Sequence, residues 1–314
     1  MNNRQLNNAI ISTIAFYDAV GRFPLTKIEL YKYLLKNGEG PAGFSFADFI
    51  EYLENNWDEL LRYIARYRGF YFLKNNPQGY ARRIQTGKTG IKKWRLAQIM
   101  AKVIALFPYV EMAGLTGSLA LNNTHKKSDI DILIVAKARS IWTTRAFVSL
   151  VMHLIGKRRY GTKIADRICL NHYITDDGLS LRPAHLFSAH ICATLVPIVD
   201  KGNIYHSLIS ANKDLVALSM QNFLAAPPLL HLKTYRREPN PLPLTPSLLE
   251  YILKALQTKR IERGLADTTA GKSTAIFDDH ALVFHHPRPK NQEAAYLYQN
   301  NLKNLFTDYP HRHT

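Results

Sequence analysis

Two carboxylates one residue apart, Asp129 and Asp131, open the apolar run Ile132-Leu133-Ile134-Val135. On a strand, successive side chains alternate faces, so the two aspartates point one way and Ile130, Ile132 and Ile134 the other. Side-by-side carboxylates repel each other and lose solvation when buried. A divalent cation resolves both problems, because a hard cation such as Mg²⁺ takes carboxylate and phosphate oxygens. A spacer of ten residues separates Asp129 from Gly117-Ser118. Glycine lets the backbone approach a ligand closely, and the N–H groups at a helix start suit a phosphate. A phosphate holder facing a metal holder is the equipment of phosphoryl or nucleotidyl transfer.

Particular elements must hold these residues. An apolar run from Val110 leads into Gly117-Ser118, and Leu119 to Asn122 suits a short helix. After the Asp129/Asp131 strand, Ser140 can cap a helix running through Ile155. A strand follows at Ile168 to Ile174, then the turn Asp176-Asp177-Gly178 and a short strand from Leu179 to Arg182. Upstream, residues 81 to 103 carry Arg82, Arg83, Lys88, Lys92, Lys93, Arg95 and Lys102 and no acid. This stretch reads as a basic helix with Trp94, Ile99, Val103 and Leu106 on one face. A second basic cluster is Lys157, Arg158, Arg159 and Lys163. Both clusters flank the aspartates, where they can guide phosphates or an RNA acceptor or serve as solvated faces.

Gly117-Ser118, the spacer, and Asp129-x-Asp131 at the head of an apolar strand resemble the signature of the polymerase-β-like nucleotidyltransferase superfamily. The likeness is tight over residues 115 to 135 and extends as an arrangement of elements over 95 to 185. It implies a small mixed sheet, two metal ions (Mg²⁺ or Mn²⁺) and transfer of a nucleoside monophosphate from an NTP to an acceptor hydroxyl. Gly117 and Ser118 would bind the nucleotide, and Asp129 and Asp131 would hold metal and act in catalysis. The family usually adds a third carboxylate on the strand after the following helix, and Ile168-Cys169-Leu170-Asn171-His172-Tyr173 contains none. Asn171 is read into that position; Asp166 lies just before the strand and Asp176 just after, and Asp166 is the first candidate for the third catalytic group. Asn is neither an anionic metal ligand nor a proton acceptor of carboxylate kind.

The chain has 314 residues, which suggests two or three domains. The expected class is α+β: a nucleotidyltransferase core of a small mixed sheet flanked by helices at 81–185, preceded by a helical, winged-helix-like module at 1–80. Accessory helices are expected at 186–225, and a proline-rich linker with a C-terminal helical region at 226–314. The N-terminal expectation rests on helices near 5–20, 26–35 and 46–62, followed by two aromatic-rich runs turning at Gly69. The third helix carries Asp48, Glu51, Glu54, Asp58 and Glu59. That charge argues against use in a DNA groove and favours a recognition or scaffold role.

A net charge of +17 favours polyanionic partners, nucleic acid first and RNA above a small cationic acceptor. Cys169 and Cys192 form no metal or redox motif, which suits a reducing compartment. The apolar stretch Ala9 to Tyr17 is broken by Ser12 and Thr13 and followed by Asp18, unlike a signal peptide. No apolar run is long enough to span a membrane, and a cytoplasmic location is expected.

Two other motifs carry less. Ala266 to Ser273 satisfies a permissive P-loop pattern but follows a helix rather than a strand. His285, His286, His311 and His313 lack cysteine or acidic partners at ligand spacing. Three functions remain in play: an active nucleotidyltransferase, a nucleic-acid-binding protein that kept the fold without the chemistry, and a regulator whose N-terminal module binds DNA.

Overall fold

The computed structural model describes residues 3–36, 45–76, 78–222, 234–237, 247–266, 275–284 and 290–307. In chain order the first third forms α1 (Asn3–Gly21), β1 (Leu25–Thr26), α2 (Lys27–Lys32), α3 (Phe46–Asn55), α4 (Trp57–Leu60), β2 (Ile64–Tyr67) and β3 (Phe70–Leu73). Thr26 and Ser45 each close a capping box, with Glu29 and Asp48 respectively, which fixes where α2 and α3 start. Arg68 and Gly69 join β2 to β3 with positive φ at both positions, as a two-residue hairpin turn demands. The three strands pair in the order β1-β3-β2. Helices followed by a hairpin stand where the sequence placed them, with the expected helix over 46–62 divided into α3 and α4.

Next come α5 (Gly79–Ala105), β4 (Val110–Leu115), α6 (Gly117–Ala120), β5 (Ile130–Ala136), α7 (Ile141–Leu154), β6 (Ile168–Thr175), α8 (Leu186–Thr194), β7 (Val196–Lys201), α9 (Ile204–Ala211) and α10 (Lys213–Ser219). The described remainder is β8 (Tyr235–Arg237), α11 (Ser247–Ala266), β9 (Ala275–Phe277), β10 (Ala281–Phe284) and α12 (Lys290–Thr307). The main sheet has the order β8-β7-β4-β5-β6-β10-β9. It is mixed: β5/β6 and β7/β8 run parallel, and the other neighbouring pairs antiparallel.

Alternation along β5 builds two cores. Ile130, Ile132 and Ile134 pack with Met100, Ile104, Trp142 and Val148 of α5 and α7. Leu133 and Val135 face the opposite side, in a core shared with α1, α2, β1 and α8. The N-terminal elements are therefore continuous with one face of the sheet.

Four expectations are corrected. Residues 185–225 are not helical throughout, because Val196–Lys201 is strand β7, paired with β4. Pro197 stands where the β4/β7 register shifts, a place that tolerates a residue without an N–H. Leu179 to Arg182 forms no strand; Leu181 is instead held by its N–H bond to the Asn212 side chain. The C-terminal region at 226–314 is not only linker and helix: β9 and β10 make a hairpin that extends the sheet at β6. Within α5 the buried stripe runs Thr86, Gly90, Lys93, Ala97, Met100, Ala101 and Ile104, whereas Ile99 and Leu106 are exposed. Small residues let α5 lie close to its neighbours, so hydrophobicity alone misread its face.

The C-terminal region is tied to the core through α7. Glu250 of α11 accepts from the Trp142 N–H (2.8 Å), the Thr143 N–H (2.8 Å) and the Thr143 hydroxyl (2.6 Å). An anion there satisfies orphan donors and complements the helix dipole. The loop at 38–43, the prolines from 227 to 246, the P-loop-like segment at 267–273 and His285, His286, His311 and His313 lie outside the described residues.

Candidate metal and nucleotide site

Strand β5 begins with its carboxylates against the end of β4. The Thr116 N–H donates to the Asp131 carbonyl at 3.0 Å, which sets the turn at Gly117 directly over Asp131. Gly117 has φ +66°, and a Cβ there would meet Asp131 Oδ2 at 2.6 Å. Only glycine allows both the left-handed conformation and that approach. Ser118 follows at the start of α6, half-buried, and Thr116 gives no side-chain cap to this helix.

Asp129 is buried, Asp131 is half-buried, and the third member of the cluster is Cys169. Their ligand atoms all lie within 4.8 Å of one another. Parallel pairing explains the meeting, since Ile130 is opposite Ile168 and Asp131 opposite Cys169. The register then shifts before Leu133 and His172, so Asn171 falls in the irregular stretch rather than opposite Asp131. Burial pushes the Cys169 thiol far above the usual range, and the charges of Asp131 and Asp129 add to the effect.

Asp166 does not join the cluster. Its carboxylate takes the ammonium of Lys93 at 2.5 Å, with the lysine side chain 2% exposed and the aspartate 60%. Lys93 also donates to the Ser128 carbonyl at 2.7 Å and the Lys126 carbonyl at 3.4 Å. The buried lysine thus braces the loop that delivers Asp129. Asp176 accepts from the Ala138 N–H at 2.7 Å.

Arg159 completes the centre. Its Nη1 lies 2.5 Å from Asp129 Oδ2 and 3.6 Å from Cys169 Sγ. The sequence marked Arg159 only as one of a basic cluster and read Cys169 as part of no metal motif, whereas the fold brings its sulfur to the two aspartates. Setting the apolar starts of two parallel strands level, Ile130 beside Ile168, is the signal that finds Cys169.

The basic residues divide by use. Arg83 pairs with Glu29 at 2.6 Å and stacks on Phe23 with its guanidinium carbon 3.8 Å from the ring centroid. Lys88, Lys92, Arg95 and Lys102 of α5 are exposed, as are Lys126, Lys127 and Lys163 near the site.

A family model for the nucleotidyltransferase domain matches residues 96–160. That span holds Gly117, Ser118, Asp129, Asp131 and Arg159 and stops short of Cys169. The matched span is thus similar to a nucleotidyltransferase domain, and its two aspartates together with Cys169 make a cluster that could hold a metal ion. No curated protein and no solved structure matches the chain. No helix among the described residues is long and apolar enough to cross a membrane.

Proposed function

We propose that this protein is a metal-dependent nucleotidyltransferase that moves a nucleoside monophosphate from an NTP to an acceptor hydroxyl. The observation that carries the reading is the contact of the two holders: the Gly117 turn lies so close to Asp131 that no side chain fits between them. Phosphates on the Gly117-Ser118 backbone would therefore adjoin the carboxylates of Asp129 and Asp131. Two carboxylate oxygens within 4.8 Å suit Mg²⁺ or Mn²⁺. When bound, such an ion supplies charge stabilisation to the phosphoryl oxygens and orients the reactants.

In the transfer, the acceptor oxygen forms a bond to the α-phosphorus. The bond from that phosphorus to the bridging oxygen breaks, and pyrophosphate leaves with its electron pair. Asp131, the more exposed of the two aspartates, is the carboxylate assigned to take the hydroxyl proton. Asp166 enters as an anchor: through Lys93 it fixes the approach to Asp129 instead of supplying a third ligand.

Nucleic acid is the favoured acceptor, RNA above DNA. The support is the +17 charge and the exposed lysines and arginines of α5 and of the loops beside the site. The N-terminal module is read as winged-helix-like, a reading supported by its helices and the three-stranded sheet β1-β3-β2. In α3, Glu54 is already paired with Lys27 and Arg66. That helix is acidic, so the module is read as a scaffold or acceptor-positioning unit. A second reading, a catalytically weakened protein that binds nucleic acid, is favoured by one observation, the sulfur of Cys169 where a third carboxylate is expected.

The test is incubation of the protein with each labelled NTP, Mg²⁺ or Mn²⁺ and total cellular RNA, beside Asp129→Ala/Asp131→Ala. Label entering RNA with the unaltered protein alone is the expected result. RNA binding without label from any nucleotide would sink the enzymatic reading in favour of the second.

A further inference from the structure

We infer that Arg159 occupies the place of one of the two divalent cations, so that the centre works with a single metal ion. This rests on the nucleotidyltransferase reading and says how its site is charged. The guanidinium lies between Asp129 Oδ2 (2.5 Å) and Cys169 Sγ (3.6 Å), the position of a cation shared by Asp129 and a third ligand.

Its placement is built into the backbone. The Arg159 N–H donates to the Ile168 carbonyl at 2.9 Å, and the Ile168 N–H donates to the Lys157 carbonyl at 2.7 Å. Arg158 and Ile168 form a parallel bridge ahead of β6. The N–H groups of Lys157 and Arg158 both donate to the Met152 carbonyl at 2.8 Å, which fastens the segment to the end of α7. The segment carrying Arg159 is thus hydrogen-bonded alongside the residue that precedes Cys169.

Charge leads to the same conclusion. Two divalent ions bring four positive charges to a cluster whose anions are two carboxylates. In place of a third carboxylate, Cys169 offers sulfur, a soft donor that Mg²⁺ and Mn²⁺ do not favour. Arginine keeps its charge at any working pH, and its fork of N–H donors matches phosphate oxygens.

The decisive measurement is the number of Mn²⁺ ions held per chain with a non-hydrolysable NTP analogue, counted by electron paramagnetic resonance during a Mn²⁺ titration. The full chain is expected to hold one. The double variant Arg159→Met/Cys169→Asp, checked for folding by its melting transition, is expected to hold two. Two ions in the unaltered protein would overturn the inference and leave the nucleotidyltransferase reading standing. No Mn²⁺ and no nucleotide bound would bring down both. One ion in the unaltered protein and one in the folded double variant would overturn the role given to Arg159.

Discussion

Two acidic groups near α7 are treated in opposite ways. Glu250 accepts three donors from the first turn of α7, and its charge has no evident work left to do beyond holding α11 in place. Asp129 is instead paired with Arg159 while it shares its corner with Asp131 and a buried thiol, so two like charges stay close together. A structural carboxylate such as Glu250 is surrounded by donors alone, whereas those of a site keep like charges close enough to share an added cation. The comparison predicts which substitutions touch stability and which touch activity.

The largest effect is expected at the acidic cluster. Asp131→Asn should lower nucleotide transfer by about 10³-fold, as loss of several kcal/mol of metal-borne stabilisation implies. The same change should leave the melting temperature unchanged or higher, because it removes a like-charge contact. A fall in melting temperature matching the loss of activity would break the comparison.

A buried neutral group comes next. His190 is enclosed by Phe16 and Tyr17, with the Tyr17 hydroxyl 3.2 Å from its Nδ1, and burial pulls its pKa down to about 4. The unfolded chain takes up the proton near the ordinary histidine value, whereas the folded chain resists until about pH 4. Stability should therefore fall as pH drops through that window, by about 3 kcal/mol in all. Chemical denaturation across pH 4–7 measures it, and His190→Gln should flatten the dependence. An unchanged slope in that variant would assign the effect elsewhere.

Glu250→Ala should cost about 1–2 kcal/mol, the scale of a lost helix cap, and should leave Mn²⁺ binding intact. Equilibrium unfolding together with a Mn²⁺ titration checks both halves, and weakened Mn²⁺ binding would show that the two acidic groups are coupled. The smallest change is expected from Glu54→Gln. Its pairs with Lys27 and Arg66 are well exposed, so less than about 1 kcal/mol should be lost, and less still in high salt.

What the sequence disclosed follows from the range of the interactions involved. The alternation of β5, the capping boxes at Thr26 and Ser45, and the glycine that must approach Asp131 are local signals, and each leaves a mark in residue type and spacing. Cys169 and Arg159 reach the centre through pairing with partners distant in the chain, a matter of register that spacing along one segment does not show. The same holds for β7, whose proline hides a strand that a bulge in β7 itself, beside β4, makes room for. In β9 and β10 three- and four-residue strands give no periodicity, and only the exposed edge of β6 turns them into part of the sheet. The stripe of α5 escaped because a buried lysine, a threonine and a buried glycine line it.

The pairing of β10 with β6, Ala281 opposite Ile174 and Val283 opposite His172, also sets an order of events on the ribosome. Strand β6 is made long before its partner, and at translation speeds of 5–20 residues per second the gap lasts on the order of ten seconds. Throughout that interval the strand that carries Cys169 presents unpaired amide and carbonyl groups along one side, a template for other nascent chains. The acidic cluster of Asp129, Asp131 and Cys169 therefore forms beside a seam that is sewn last. A chain halted before residue 281 would be prone to aggregate through that seam rather than remain a folded fragment.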